Sequence, residues 1–201
     1  TFEKGSLTSS VYFRNTRDRI ERIRLVDESG NSVTRTENLL SERALGVEFT
    51  SGYSPLPWWK LDFNFNYFYA DIDGTNILPD YRAYTYSWFT RQTSRFSLPR
   101  GLDIQLRANY EAPQRTAQGK RKALYFADLS VSKDLWKDKG TLNLSVLDVF
   151  NSRRMRIVSE GPNFFTEGNI RPRVRQVNLS LSYRIKQAKP MKPRRMEGEE
   201  G

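Results

Sequence analysis

Hydrophobic and polar residues alternate strictly along much of the chain. The clearest stretch is KLDFNFNYFYA, which runs from Lys60 to Ala70. Its alternate positions are apolar at Leu61, Phe63, Phe65, Tyr67 and Tyr69 and polar at Lys60, Asp62, Asn64 and Asn66. Successive side chains of a strand point to opposite faces, so this pattern predicts a β-strand with one apolar and one polar face. In a soluble sheet the apolar face would pack on a core, whereas in a membrane barrel it would meet lipid and the polar face would line the interior.

The same alternation predicts about eight strands. Their ranges are Gly5–Arg14, Ser41–Tyr53, Trp58–Ala70, Tyr84–Leu98, Leu102–Tyr110, Ala123–Lys133, Thr141–Phe150 and Arg173–Ile185. The first strand could extend through the charged run that ends at Arg24. The stretch TENLLSERALG before the second strand could form a short helix, but it is short and weakly capped, so we favour a strand. The apolar face of the fourth strand turns polar from Thr90 onward, which predicts a bulge or a register change there.

The predicted connections alternate between long and short along the chain. Short ones cover Ser54–Pro57, Leu98–Gly101 and Lys133–Gly140, and long ones cover Arg24–Leu40, Asp71–Arg82, Glu111–Lys122 and Asn151–Pro172. The first long connection contains the turn sequence DESGN. An up-and-down meander in an outer membrane has this arrangement, with short periplasmic turns and longer extracellular loops. A soluble Greek-key sandwich has no reason to sort its connections by length.

Aromatic residues concentrate near both ends of the predicted strands. Those expected at the rim with the short turns are Trp58, Trp59, Trp136 and Tyr183, and those expected at the opposite rim are Tyr69, Tyr84, Tyr86 and Tyr110. Amphipathic rings favour the headgroup region of a bilayer, so two such girdles favour a membrane-spanning sheet.

The polar faces are mostly uncharged, which also favours a barrel interior. They carry Asn64, Asn66, Gln105, Asn109, Asn143, Asn178, Ser180 and Ser182. A solvated outer face of a soluble sheet usually carries more Lys and Glu. The charged residues expected on the same face are Glu48, Arg107 and Asp128, and we expect them to pair across strands rather than to bind a ligand.

Composition narrows the function classes. The chain has 201 residues and a mean hydropathy of −0.69, a low value that a barrel tolerates because only alternate strand residues meet lipid. Its longest uninterrupted apolar run is Ala123–Ala127, far below the roughly 20 residues of a spanning helix. The absence of His and Cys excludes a Ser-His-Asp hydrolase, a His zinc site and a thiolate metal site. This leaves a carboxylate or lysine enzyme open in principle, but the spacing shows no recognisable carboxylate pair for acid–base work. We therefore expect no enzyme, no catalytic residue and no cofactor.

Neither the net positive charge nor the clustered aspartates predicts a specific binding site. The net charge of +10 could indicate nucleic acid, but the arginines are scattered, so we favour rim charges near anionic lipid and expect no nucleic-acid partner. Asp71, Asp73 and Asp80 frame the segment DIDGTNILPD, whose match to a calcium loop fails after its glycine, so a solvated turn is favoured. We divide the chain into strands at 1–185 and a disordered, charged periplasmic tail at 186–201.

Three stretches together resemble the C-terminal part of a TonB-dependent outer-membrane receptor of the β-barrel type common in Bacteroidetes. They are ERALGVEFTSGYSPLPWWKLDFNFNYFYADIDG (42–74), LNLSVLDVFNSRRMR (142–156) and RQVNLSLSYRI (175–185). The resemblance covers most of 5–185. It implies an all-β, antiparallel barrel of about twenty-two strands around an N-terminal plug. It also implies import of a bulky nutrient, such as a metal chelate or an oligosaccharide, driven through a TonB-type energy-coupling protein. No individual ligand-binding residue carries over, because recognition is spread over loops and the plug.

The resemblance makes this chain about eight strands from the C-terminal end of a longer receptor in a Gram-negative outer membrane. The start at Thr1, without Met or a signal peptide and inside or just before a strand, agrees with this expectation. One alternative is a complete small eight-stranded barrel with an adhesion or envelope-stabilising role. Another is a soluble β-sandwich that binds carbohydrate. The discriminating residues are Leu61, Phe63, Leu106, Leu144 and Leu179, which meet lipid in a barrel and are buried in a sandwich.

Overall fold

The computed structural model describes residues 3–137 and 139–185, and these form strands and turns. None of the described residues forms a helix long and apolar enough to cross a membrane. The described residues form twelve strands: β1 (Gly5–Val26), β2 (Ser32–Leu56), β3 (Trp59–Asp73), β4 (Arg82–Leu98), β5 (Leu102–Glu111), β6 (Gln114–Thr116), β7 (Gly119–Arg121), β8 (Leu124–Leu135), β9 (Gly140–Leu147), β10 (Met155–Gly161), β11 (Phe164–Ile170) and β12 (Gln176–Tyr183).

The main sheet has eight strands in the order β1-β2-β3-β4-β5-β8-β9-β12, and every pairing is antiparallel. The predicted all-β meander of eight strands is confirmed. The helix alternative for TENLLSERALG is wrong, because that stretch lies in β2 and pairs with β1. The bulge predicted in β4 is also wrong, since β4 keeps an unbroken register with both neighbours. The irregularity lies instead between Tyr53 and Leu56 of β2.

Two segments predicted to be long, polar connections contain strands. The hairpins β6–β7 and β10–β11 join through a β7–β10 pairing into a second, four-stranded sheet. Their strands are short, and the pairing joins two connections that lie far apart in sequence, so no local pattern revealed them. The first long connection is likewise mostly hairpin, because β1 and β2 continue to a turn at 27–31.

The apolar residues of the main sheet share one continuous face, which we call the apolar face. The register carries this face across the sheet, for example through Val11, Val47, Tyr67 and Trp88. Phe63, Leu106, Leu144 and Leu179 on this face are 37%, 42%, 42% and 69% exposed, and Leu61 is half-buried. A soluble sandwich would bury these side chains against a second layer, so the structure does not support the sandwich alternative.

The faces of β1 and β2 exchange together where Asp18 of β1 and Leu40 of β2 interrupt the β1–β2 register. Asp18 has a φ of 53°, in the left-handed region. Before Asp18 in the sequence, odd-numbered residues of β1 such as Phe13 lie on the apolar face. After Asp18, odd-numbered residues lie on the opposite face, where Arg19 pairs with Glu42 and Ile23 packs with Ile72. This exchange turns the end of β1 inward over the polar face.

The main buried cluster lies on the polar face at the end of the long connections. It comprises Ile23, Leu39, Ile72, Tyr81, Ala83 and Ala117, with Leu25, Ile77 and Leu78 packed against it. The described residues of β1 and β12 pair with β2 and β9 but not with each other, so the eight strands form an open sheet rather than a closed barrel. The largest hydrophobic cluster therefore fastens the long connections to the sheet.

Candidate functional site: the polar face and the mouth cleft

The polar face is a network of amides, hydroxyls and charges held close to the backbone. Tyr12 lies directly opposite Gly46, and its hydroxyl donates a hydrogen bond to Asn66 Oδ1 at 3.2 Å. A Cβ at Gly46 would stand 2.5 Å from the Tyr12 ring, so only glycine lets the ring lie flat across β2. On the same face, Asn64 donates to Glu48 at 2.8 Å. Gly46 and Glu48, which flank Val47 in the stretch 42–74, thus both belong to the polar face.

A second sequence stretch, LDVFNSRR, forms the corner where the main sheet passes into the β10–β11 hairpin. Asp148 is 1% exposed and accepts hydrogen bonds from the backbone amides of Ser152 at 2.8 Å and Arg153 at 3.0 Å. Its φ of 55° ends β9 at Leu147, three residues earlier than the sequence predicted. The corner has a structural role, because it fixes the direction in which the hairpin leaves the sheet.

The polar-face charges pair differently from what strand order alone indicates. Asp128 lies directly opposite Arg107 but forms its ion pair with Arg153 at 2.9 Å. The Arg153 guanidinium also lies 3.7 Å from the centroid of the Phe126 ring. Glu48 bonds the amide of Asn64 rather than a cation. Among the described residues, Arg107 forms no ion pair within 4.0 Å, Glu48 bonds an amide across strands, and the cation that meets Asp128 comes from a long connection. The expectation that these charges pair with one another across strands is therefore wrong.

Gln118, which the sequence did not single out, joins three of the long connections. It lies in the two-residue turn between β6 and β7 and is 7% exposed. Its Oε1 accepts from the Arg24 amide at 2.9 Å, and its Nε2 donates to the Arg24 carbonyl at 2.6 Å and to the Tyr81 hydroxyl at 2.6 Å. Its own carbonyl accepts from the Glu160 amide at 3.1 Å. The only local sequence signal was the glycine that follows it, Gly119, since glycine commonly marks a turn.

Around this turn lies a cleft of about 670 Å³, which we call the mouth cleft. Its walls come from the β3–β4 connection, the β6–β7 hairpin and the β10–β11 hairpin. The charged residues that line it are Asp80, Arg82, Arg115, Lys120 and Glu160. Its volume lies within the range of small-molecule sites, about 300–1,000 Å³. The cleft is thus the described cavity best suited to hold a solute at the end of the long connections.

The electrostatics of the mouth come from burial and from local pairs. Burial raises the pKa of Tyr81, while the hydrogen bond from Gln118 opposes that shift. Lys122 bonds Glu167 across the two hairpins and lowers the pKa of that carboxyl. Tyr81 is therefore a neutral hydroxyl near pH 7, and Glu167 is ionised, so neither supplies a proton-transfer group poised near neutrality.

The aspartates considered for calcium have other partners. Asp71 pairs with Arg82 at 3.1 Å, and Asp73 accepts from the Thr75 amide and hydroxyl at 3.1 and 2.7 Å. These Thr75 bonds lower the pKa of Asp73. Asp80 lines the mouth cleft. Within 3–137 and 139–185, no group of three or more acidic side chains is placed to hold a metal ion.

Aromatic contacts place the two predicted girdles at the two ends of the sheet. Trp59 stacks on Phe96 with ring centroids 5.7 Å apart, and Trp136 meets Tyr183 edge-on at 5.6 Å, both at the end with the short turns. At the other end, the Tyr69 and Tyr86 centroids lie 4.9 Å apart.

The predicted tail at 186–201 lies outside the described residues.

The comparisons with known proteins bear on the whole sheet. A family model described as the outer membrane protein beta-barrel family matches residues 1–183. The matched range includes every described strand of the main sheet and both hairpins at the mouth. A comparison with curated proteins and one with solved structures found no match.

Proposed function

This chain belongs to the outer membrane protein β-barrel family, and from that membership we propose that it forms a wall of a nutrient-import receptor of the TonB-dependent type. In this proposal the apolar face meets lipid in the outer membrane of a Gram-negative cell. The polar face lines the passage, and the mouth cleft helps to capture a bulky solute from outside. The solute class expected from the resemblance is a metal chelate or an oligosaccharide.

The observation that supports the proposal best is an open sheet whose exposed and covered faces are reversed relative to a soluble protein. Large side chains such as Phe13 and Leu179 are 68% and 69% exposed, while polar Asn66 and Asn109 are 5% and 8% exposed on the other face. In water, such exposed apolar area would oppose folding, whereas lipid removes that cost. The unpaired edges of β1 and β12 are the places where further barrel strands would add.

The proposed orientation places the mouth outside the cell. The long connections form the mouth, and outer-membrane barrels carry their longer loops on the extracellular side and their short turns on the periplasmic side.

In the proposed mechanism no chemistry is done on the solute. The solute binds at the mouth and passes along the polar face when a plug moves. The plug and the TonB-type energy-coupling protein are proposed partners outside this chain. We propose no enzymatic activity, because the carboxyl and hydroxyl groups described at the mouth are not arranged as an acid–base pair.

A labelling experiment tests the sidedness. The chain contains no Cys, so single substitutions can be read without background. We expect Leu106→Cys and Leu144→Cys, in native outer membranes, to resist a water-soluble maleimide and to react with a lipid-soluble one. Exposed polar-face Arg107→Cys is the matched control on β5 and should react with the water-soluble reagent when the passage is open. Rapid labelling of both apolar-face positions by the water-soluble reagent would refute a lipid-facing sheet.

An uptake experiment tests the import step separately. Cells with and without the native gene would be offered labelled chelates and oligosaccharides, with and without the energy-coupling protein. We expect uptake that needs both the gene and the coupling protein. Uptake that needs the gene alone would leave an outer-membrane barrel but refute the TonB-dependent mechanism.

A further inference from the structure

Two cations of the β6–β7 hairpin stand directly opposite each other. Arg115 and Lys120 are register partners, so their Cβ atoms are about 5 Å apart on one face of the hairpin. Both residues are exposed and both line the mouth cleft. Like charges in directly opposed positions destabilise a strand pair. The hairpin thus holds an unfavourable arrangement at the edge of a cavity.

The acidic residues nearby form no ion pair with these two cations. Among the described residues, neither Arg115 nor Lys120 has a carboxylate within 4.0 Å, although Asp80 and Glu160 line the same cleft. Lys122, the hydrogen-bonded ion-pair partner of Glu167, lowers the pKa of that carboxyl most, and the charge of Lys120 also contributes. The neighbouring cations are differently placed, since Arg82 pairs with Asp71 and Lys122 with Glu167. The two opposed side chains are therefore free to meet an anion from outside.

The backbone beneath the pair is fixed, so the two side chains start from set positions on the hairpin. The Arg115 amide donates to the Thr85 hydroxyl of β4 at 3.0 Å. Gly119 has a φ of 133°, and a Cβ there would stand 2.2 Å from the Val158 carbonyl oxygen, so the turn packs tightly on β10. Binding an anion between the two side chains therefore orders those side chains but does not have to order the hairpin backbone.

The surrounding connections are basic as well. The segments 111–122 and 151–175 carry ten Arg and Lys against three Glu. This excess raises the local concentration of anions at the mouth and speeds their capture. At the opposed pair, an anion can accept hydrogen bonds from Arg115 and Lys120 together.

We propose that the mouth cleft binds solutes bearing an oxyanion, a carboxylate, sulfate or phosphate, between Arg115 and Lys120. This inference rests on the proposed import function and narrows its substrate class to acidic solutes, of which a part enters the cleft of about 670 Å³. Arg supplies a bidentate fork to the oxyanion, and Lys supplies a compact charge from the opposite strand.

Binding to the purified full-length protein in detergent tests this site. The probes are a sulfated hexasaccharide, an oligogalacturonate of equal length, inorganic phosphate and a neutral maltohexaose, measured by calorimetry. Comparing the sulfated probe with the oligogalacturonate shows whether the site prefers a sulfate or a carboxylate. Inorganic phosphate shows whether an oxyanion without a saccharide is enough for binding. The variant is Arg115→Gln with Lys120→Gln. The matched control is Arg171→Gln with Arg173→Gln, which removes the same charge from exposed positions that do not line the cleft.

We expect at least one anionic probe to bind more tightly than the neutral one, and its affinity to fall as salt is raised. The cleft variant should lower that affinity at least about tenfold, as expected for losing charge-assisted hydrogen bonds, while the control changes it less than about twofold. Equal losses in both variants, equal binding of maltohexaose, or no binding of any anionic probe would each overturn the site. Gene-dependent, energy-dependent uptake of a neutral nutrient would then still leave the import function standing.

Discussion

Replacing Gln118 by Leu should release the β6–β7 hairpin from the rest of the mouth while the main sheet stays folded. Leu keeps similar volume but removes the amide that bonds both backbone groups of Arg24 and the Tyr81 hydroxyl. The Arg24 groups would lose their partner in a partly buried site. Each buried polar group left without a hydrogen bond costs about 1–3 kcal/mol.

The magnitude follows from the burial of the partners. Tyr81 is 3% exposed and Gln118 is 7% exposed, so water can replace only part of the lost bonding. Two to three unsatisfied groups, discounted for the partly exposed Arg24 backbone, weaken the docking of the hairpin by about 2–4 kcal/mol. A tenfold change corresponds to about 1.4 kcal/mol, so the hairpin should open about 30 to 700 times more often.

Limited trypsin digestion of the folded protein in detergent reads this opening, because the hairpin carries cleavage sites at Lys120 and Arg121. When opening and closing are fast relative to cleavage, the cleavage rate follows the open population. The control is Gln114→Leu in the same hairpin, where the side-chain amide has no hydrogen-bond partner among the described residues. Cleavage of both variants at the wild-type rate would refute the view that Gln118 fastens the mouth.

The remaining predictions concern a glycine in the wall and the turn at the tip of β1–β2. Gly46→Ala should displace the Tyr12 ring and lower the free energy of unfolding by about 1–3 kcal/mol, measured by urea titration. Gly52→Ala, whose nearest atom would be 3.7 Å away, should have a much smaller effect, and equal losses would contradict the packing argument. Hydrogen bonds from Asn31 lower the pKa of Asp27 below 3.8, so the turn should hold above that pH and loosen as pH falls through the lowered value. The Asn31 amide chemical shift should report this change, and a shift that stays constant to pH 2 would oppose it.

The main sheet was predictable because its signal is local and repeated. Alternation at every second residue marks a strand and its two faces, and the length of each connection indicates which strands are neighbours. For β5 the predicted range Leu102–Tyr110 differs from the observed strand by one residue. The strand ends and faces were predicted wrongly where the two-residue alternation is interrupted. Asp18 and Asp148 adopt left-handed conformations that redirect the chain, and nothing in a two-residue period announces them.

The candidate site was less predictable, since it depends on contacts between distant segments. Gln118 meets Arg24 across 94 positions of sequence, and β7 pairs with β10 from another connection. Arg115 and Lys120 are close in sequence, but only the hairpin register makes them opposed, and only the packed β10–β11 hairpin gives them a cavity.

By itself the sequence determined an antiparallel meander with one apolar and one polar face, because alternation fixes the direction of each side chain within its own strand. It also determined that His and Cys chemistry is absent. Only the tertiary structure decided that the long connections assemble into a second sheet and that a buried turn at Gln118 fastens them. The same packing places two unpaired cations face to face at a cleft. Those features are set by contacts between segments remote in sequence. The alternation within a single strand carries no information about such contacts.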